Sequence, residues 1–190
     1  MTEIRGQAPA LVVLGQAAFL AMMASCLAIR PSADAVQHGL SFYGNHAETL
    51  VPYTLGFAVC VPVTALGLAR VRGRDGATRR FRLGTGSILT LMALVPLTPY
   101  SVDLVLDYLH IGVSAVLFTG ALLFGAWLAL VLLRRRAAYA AVAVQAAAGL
   151  LALSAQIGVD DWMIPAQLVF ELAFTCLIVL GAAHLAARAR

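Results

Sequence analysis

The sequence predicts an all-α fold: a polytopic bundle of six transmembrane helices, N-in/C-in, that fills residues 1–190 as a single integral membrane domain. Three observations carry that expectation. Hydrophobic residues make up 62% of the chain and charged residues 12%, with mean hydropathy +0.90, so too few polar side chains exist to cover a water-facing surface. Apolar runs long enough to cross ~30 Å of hydrocarbon recur along the chain. The 13 basic residues, every one an arginine, gather in alternate connections between those runs.

The first run covers about 8–29. It is roughly twice the ~7–15 residues of a secretory signal core, and Leu27, Ala28 and Ile29 extend it past a loosely lipoprotein-like box at 23–26, so it is expected to persist as a helix. The loop at 30–51 is the longest in the chain, exceeding the ~12–15 residues beyond which loops in compact proteins are commonly functional. It carries His38, Ser41, Tyr43, His46 and Glu48, with Gly39 and Gly44 supplying backbone freedom for a folded-back turn. The second run covers about 50–69, with Pro52 expected in its first turn and Pro62 placed to kink it. Segment 70–82, six arginines against Asp75, is expected as a polar loop. The third run, 83–99, ends in Pro96 and Pro99, which unwind a helix. Polar residues 101–108 precede the fourth run, 109–133; Arg134, Arg135 and Arg136 turn the chain into the fifth, 137–157; and Asp160 and Asp161 turn it into the sixth, 163–186.

Six spans put both termini on one side. With the amino terminus in the cytoplasm, 12 of the 13 arginines face inward and only Arg30 faces out, which sets the orientation. Arginine in place of lysine, with abundant alanine, suggests a GC-rich bacterial source, and hence a multi-pass protein of the inner (plasma) membrane. Basic groups sitting at helix ends exclude nucleic acid as the partner. Membrane lipids are the expected partners, and a homo-oligomer or a membrane-protein partner is compatible with the pattern. Cys26, Cys60 and Cys176 lie inside apolar runs, which argues against disulfides and cysteine metal sites.

The same orientation gathers Asp34, Glu48, Asp103, Asp107, Asp160 and Asp161 on the outer side with His38, His46 and His110. Asp103, Asp107, His110 and Ser114 are spaced i, i+4, i+7, i+11 and would share one helical stripe, or form a wet helix cap. His110 and Asp107, completed by His38 and His46, would suit a divalent metal such as zinc, although no cofactor is required by any motif. In the sixth run Gln167, Glu171 and Thr175 form a second polar stripe facing the bundle, within reach of Gln16 and Gln145. A carboxylate there costs several kcal/mol unless it is protonated, paired or wetted. It would serve as polar glue between helices or as a proton site. Small residues such as Gly112, Ala121 and Gly125 favour close helix packing.

Two stretches resemble a known group. Residues 39–45 with Pro52 and Phe57 are similar to the Ile-Ser-x-x-Gly loop, proline and aromatic of the FRAG–DRAM–SFK group of six-span membrane proteins and their bacterial relatives of unknown function. Residues 109–118 are similar to that group's His-x-x-Gly-Ala-x-x-x-Phe start to the fourth span. Phe42 and Tyr43 stand where an acid often precedes the loop glycine. The resemblance singles out Ser41, Gly44, Pro52, His110, Gly112 and Phe118, and implies lipid handling without an established reaction. The leading expectation is accordingly a non-enzymatic protein handling or sensing lipid at an outer-leaflet polar site. The alternatives are a membrane-embedded metal-dependent hydrolase with an outward-facing His/Asp site and a small transporter or proton-coupled carrier using Glu171.

Overall fold

Helix boundaries follow the polar residues that flank each apolar run. The computed structural model describes residues 3–31, 35, 38–99, 103–158 and 161–188, which form six long helices and no strand. Asp34, Ser101, Asp160 and Arg190 fall outside the described residues. Helix α1 covers Glu3–Ile29, and a 3₁₀ segment, Gly39–Asn45, leads into α2, Ala47–Arg70. Helix α3, Gly76–Leu94, tightens into a 3₁₀ turn at Val95–Leu97. Helix α4, Leu104–Trp127, widens into a π-helical turn at Leu128–Leu133 and stops at Arg134, whose φ of 47° is left-handed. Helices α5, Arg136–Gln156, and α6, Met163–Arg188, complete the chain.

Three positions differ from the expected ones, each for a local reason. The arginine-rich segment is not all loop, because α3 begins at Gly76 and carries Arg79, Arg80 and Arg82. Asp75 caps it, accepting from the Ala77 and Thr78 amides at 2.9 and 3.0 Å and from the Thr78 hydroxyl at 2.7 Å. The Thr78 bonds, backbone first, hold the Asp75 carboxyl below the usual carboxylate range. Helix α4 likewise starts earlier, at Leu104, because Asp103 accepts from the Leu106 amide at 2.9 Å. Pro52 lies past the first turn of α2, which starts at Ala47, so the Glu48 carbonyl lacks its helical partner.

Five helices, α1, α2, α4 with its π turn, α5 and α6, are long and apolar enough to cross a membrane. Helix α3 is 19 residues long, and the three arginines in its first turns leave it a shorter apolar stretch. It still runs the length of the bundle. Its Thr78 lies beside Leu185 and Arg188 at the end of α6, and the 3₁₀ turn that follows it meets the Gly39–Asn45 segment. The start of α1, where Gln7 accepts from Arg70 at 2.7 Å, lies at the same end as the α2–α3 link and the end of α6.

Helix α1 packs along α2, and α5 along α6, with α1 also touching α6. Phe81, Leu128, Phe170, Leu177 and Ile178 fill the interior, while Leu14, Val51, Leu83, Leu123, Leu130 and Leu150 stand exposed around the outside. Apolar side chains on both surfaces of the helices are what a lipid solvent calls for. The α1–α2 seam is closest at Gly15, where an added Cβ would come within 3.0 Å of the Cys60 carbonyl and the Thr64 amide. Gly86, by contrast, has nothing within 4 Å of that position. Thermal unfolding in detergent should therefore show Gly15→Ala destabilised by about 1–3 kcal/mol. Gly86→Ala should match or exceed the parent, and equal melting of the two variants would refute the close seam.

Candidate functional site

Helix α4 brings His110 round to the inside two turns after its cap, and the side chain is 6% exposed. Its Nδ1 lies 2.6 Å from the carbonyl oxygen of Thr98, at the end of the 3₁₀ turn that closes α3. A carbonyl can only accept, so Nδ1 carries the proton. Nε2 lies 2.7 Å from Ser41 Oγ in the Gly39–Asn45 segment, and in the neutral ring it accepts the serine proton. Tyr53, in the second turn of α2, lines the same cavity as Ser41. The chain Ser41–His110–Thr98 thus joins three segments by hydrogen bonds that point one way. Protonation of the imidazole would reverse the Ser41 bond, because Nε2 would then donate.

A cavity of about 20 Å³ lies along this chain, lined by Ser41, Tyr53 and His110 together with Asn45, Val95 and Pro96. That is room for about one water molecule. Ser41 is half-buried, and Asn45 and Leu50 at the margin are exposed, so the cavity opens outward.

The segment holding Ser41 has no long helix of its own, and its backbone groups are satisfied from outside. Gln167 Oε1 accepts from the Leu40 amide at 2.8 Å, Thr49 Oγ1 donates to the Tyr43 carbonyl at 2.8 Å, and His46 Nδ1 donates to the Phe42 carbonyl at 2.8 Å. Gly39 has φ +67° and sits against the Gln167 amide, so both conformation and space require glycine there. Gly44 is needed for contact alone: the Tyr53 ring lies against its Cα.

The expected site residues therefore separate. Ser41 and His110 come together, and Gln167 and His46 act as struts. Tyr43 is fully buried, and burial pushes its hydroxyl above the ordinary phenol range, followed by the nearby Cys26. Glu48 pairs with Arg30 at 3.1 Å, and the guanidinium sits 5.7 Å from the Phe42 ring centroid. His38 is exposed, its ring centroid 6.3 Å from that of Phe42. Asp103 leaves the expected stripe, because its backbone is extended and its carboxylate is used as a cap; Asp107 stays on the helix, half-buried. Among the described residues no three of His, Cys, Asp and Glu stand close enough to hold a metal ion, so the quartet His110, Asp107, His38 and His46 is not assembled. Gly112 is exposed with no neighbour at its Cβ position, whereas Gly125 admits the Gln145 amide and Phe118 packs edge-on to Phe170. Thr98 and Tyr53 were not signalled by spacing. The carbonyls that end a helix lack intrahelical partners, which is the one general clue to Thr98.

In mid-bundle Gln16 donates to Thr64 Oγ1 and Cys60 Sγ, both at 3.3 Å, and accepts from Thr175 at 3.1 Å. Glu171, 8% exposed, is left out of this network, and no hydrogen bond reaches it among the described residues. Comparison with family models, curated proteins and solved structures finds no match to this chain. With no hydrogen-bond partner among the described residues, Glu171 contributes no polar link between helices there. Glu171→Leu should melt at or above the parent, gaining up to about 1–3 kcal/mol from removal of an unsatisfied buried group. A clear loss of stability in detergent would restore the glue assignment.

Proposed function

We propose that this is a six-span bacterial inner-membrane protein, both termini cytoplasmic, that binds lipid at its outer-leaflet end through the Ser41–His110 site. The observation that carries the reading is the Ser41–His110 hydrogen bond of 2.7 Å beside an outward-opening cavity. Around that end Val51, Leu97, Leu104, Val105 and Tyr108 are all more than 60% exposed. Large apolar side chains standing outward next to hydrogen-bonding groups suit the boundary where hydrocarbon meets headgroups. The placement of arginines at the opposite end supports the orientation. The likeness of residues 39–45 and 109–118 to the FRAG–DRAM–SFK group supports lipid as the ligand class.

Two measurements test the reading. In a background with Cys26, Cys60 and Cys176 replaced by alanine, a membrane-impermeant maleimide should label Asn45→Cys on intact cells and Arg74→Cys only after permeabilisation. The reverse pattern would remove the site from the outer leaflet. Native mass spectrometry of the purified protein in phospholipid nanodiscs should show retained phospholipid, with retention about tenfold weaker in His110→Leu, the equivalent of ~1.4 kcal/mol. Equal retention in a His110→Leu variant of unchanged melting temperature would defeat the assignment of the site.

A further inference from the structure

We infer that Ser41 is a nucleophile and His110 its general base, forming an acyl-transfer site for ester-linked lipids; this rests on the proposed lipid site. The geometry has the parts such chemistry needs. The nucleophile and base are in direct contact at 2.7 Å, and the base is oriented by a third group, the Thr98 carbonyl, at 2.6 Å from Nδ1. The carbonyl fixes the proton on Nδ1, so the free pair of Nε2 faces the serine hydroxyl. A backbone carbonyl does this without placing a carboxylate in an apolar setting, where it would be costly. Thr98 is thus a positioning residue, and its role does not depend on its side chain.

The substrate class follows from depth and surroundings. Exposed Leu97, Leu104, Val105 and Tyr108 ring the site, and the ester carbonyls of a glycerolipid lie at the same boundary between hydrocarbon and headgroup. Ser41 Oγ attacks the ester carbon and its proton passes to Nε2 of His110. The C–O bond to the lipid alcohol breaks, and the alcohol departs with that proton, leaving an acyl ester on Ser41. A water molecule then attacks the acyl carbon, gives its proton to Nε2 and releases a fatty acid, while Ser41 recovers its proton; a second alcohol in place of water gives a new ester. The cavity of about 20 Å³ beside Ser41 is large enough for the attacking water but not for the ester carbonyl. Asn45 and Leu50, exposed at the margin, are the side chains that must turn to admit it. The Tyr53 hydroxyl and the Asn45 amide, on side chains that line the cavity with Ser41, are the donors available to the developing oxyanion.

The experiment uses the full chain in phospholipid nanodiscs and an alkyl fluorophosphonate, which phosphonylates activated serines. A stoichiometric adduct mapped to Ser41 by peptide mass spectrometry, absent in Ser41→Ala and formed at least about 100-fold more slowly in His110→Gln, is expected. Labelling of a His110→Ala variant should also be restored by added imidazole, which tests the base even if His110→Gln does not fold. No adduct in a parent protein that retains phospholipid would overturn the nucleophile and leave the lipid site standing. No adduct and no retained lipid would remove both. An adduct at Ser41 that forms equally fast in His110→Gln, or that added imidazole does not accelerate in His110→Ala, would overturn the assigned base and with it the inference.

Discussion

His110 ties together three pieces of chain that are distant in sequence. One ring nitrogen closes on the Thr98 carbonyl beyond α3, the other on Ser41 in the Gly39–Asn45 segment, and the ring itself is carried by α4. Backbone groups buried in the end of a helix bundle need protein partners, so an irregular segment persists there only if side chains satisfy it. Here the support comes from Gln167 on α6, Thr49 on α2 and His46 between the segment and α2. The segment is therefore folded into the end of the bundle instead of trailing across it. Ser41 takes its fixed position from that arrangement, against the imidazole of His110.

Below this end the bundle treats its polar side chains unequally. Gln16 is satisfied by Thr64, Cys60 and Thr175, linking α1, α2 and α6. Gln145 is fully buried against Gly125 and Leu177, yet neither its amide nitrogen nor its oxygen has a partner. An unsatisfied amide in an apolar interior costs on the order of 1–3 kcal/mol. The close fit of Gln145 over Gly125 therefore contributes through contact and shape, not through hydrogen bonding. Polar residues on one face of α6 thus have three different fates: Gln167 is a strut, Glu171 has no hydrogen-bond partner among the described residues, and Thr175 is part of a network.

Hydropathy and arginine placement made the helices legible, since both are sums over many residues and tolerate local error. Boundaries were less legible, because a single capping carboxylate decides them. Asp75 and Asp103 each draw into a helix residues whose own polarity suggests loop. Of the two expectations for Asp103, stripe or cap, the cap is the one found, because a helical period places residues only where the helix has already begun. The Ser41–His110 contact joins residues 69 apart in sequence, so no spacing within one element could reveal it. Each of the two residues was picked out separately by resemblance to short motifs, but their pairing is a property of the fold. Thr98 was illegible because its contribution is a carbonyl, common to every residue type.

The two ends of the bundle offer different chemistry to a membrane. One carries Arg70, Arg72, Arg74, Arg79, Arg80 and Arg82, with Arg134, Arg135, Arg136 and Arg188. Near Ser41 the arginine among the described residues is Arg30, and its charge is already committed to Glu48 at 3.1 Å and to the face of Phe42. An anionic headgroup held by charge alone would be drawn to the arginine end. The Ser41 end instead presents a neutral, directional set of donors and acceptors: a hydroxyl, a phenol, an amide and an imidazole. Such a set discriminates by hydrogen-bond geometry more than by net charge. Under the proposed lipid reading, recognition there follows the linkage and depth of a lipid's polar groups, with salt having much less effect than it has at the arginine surface.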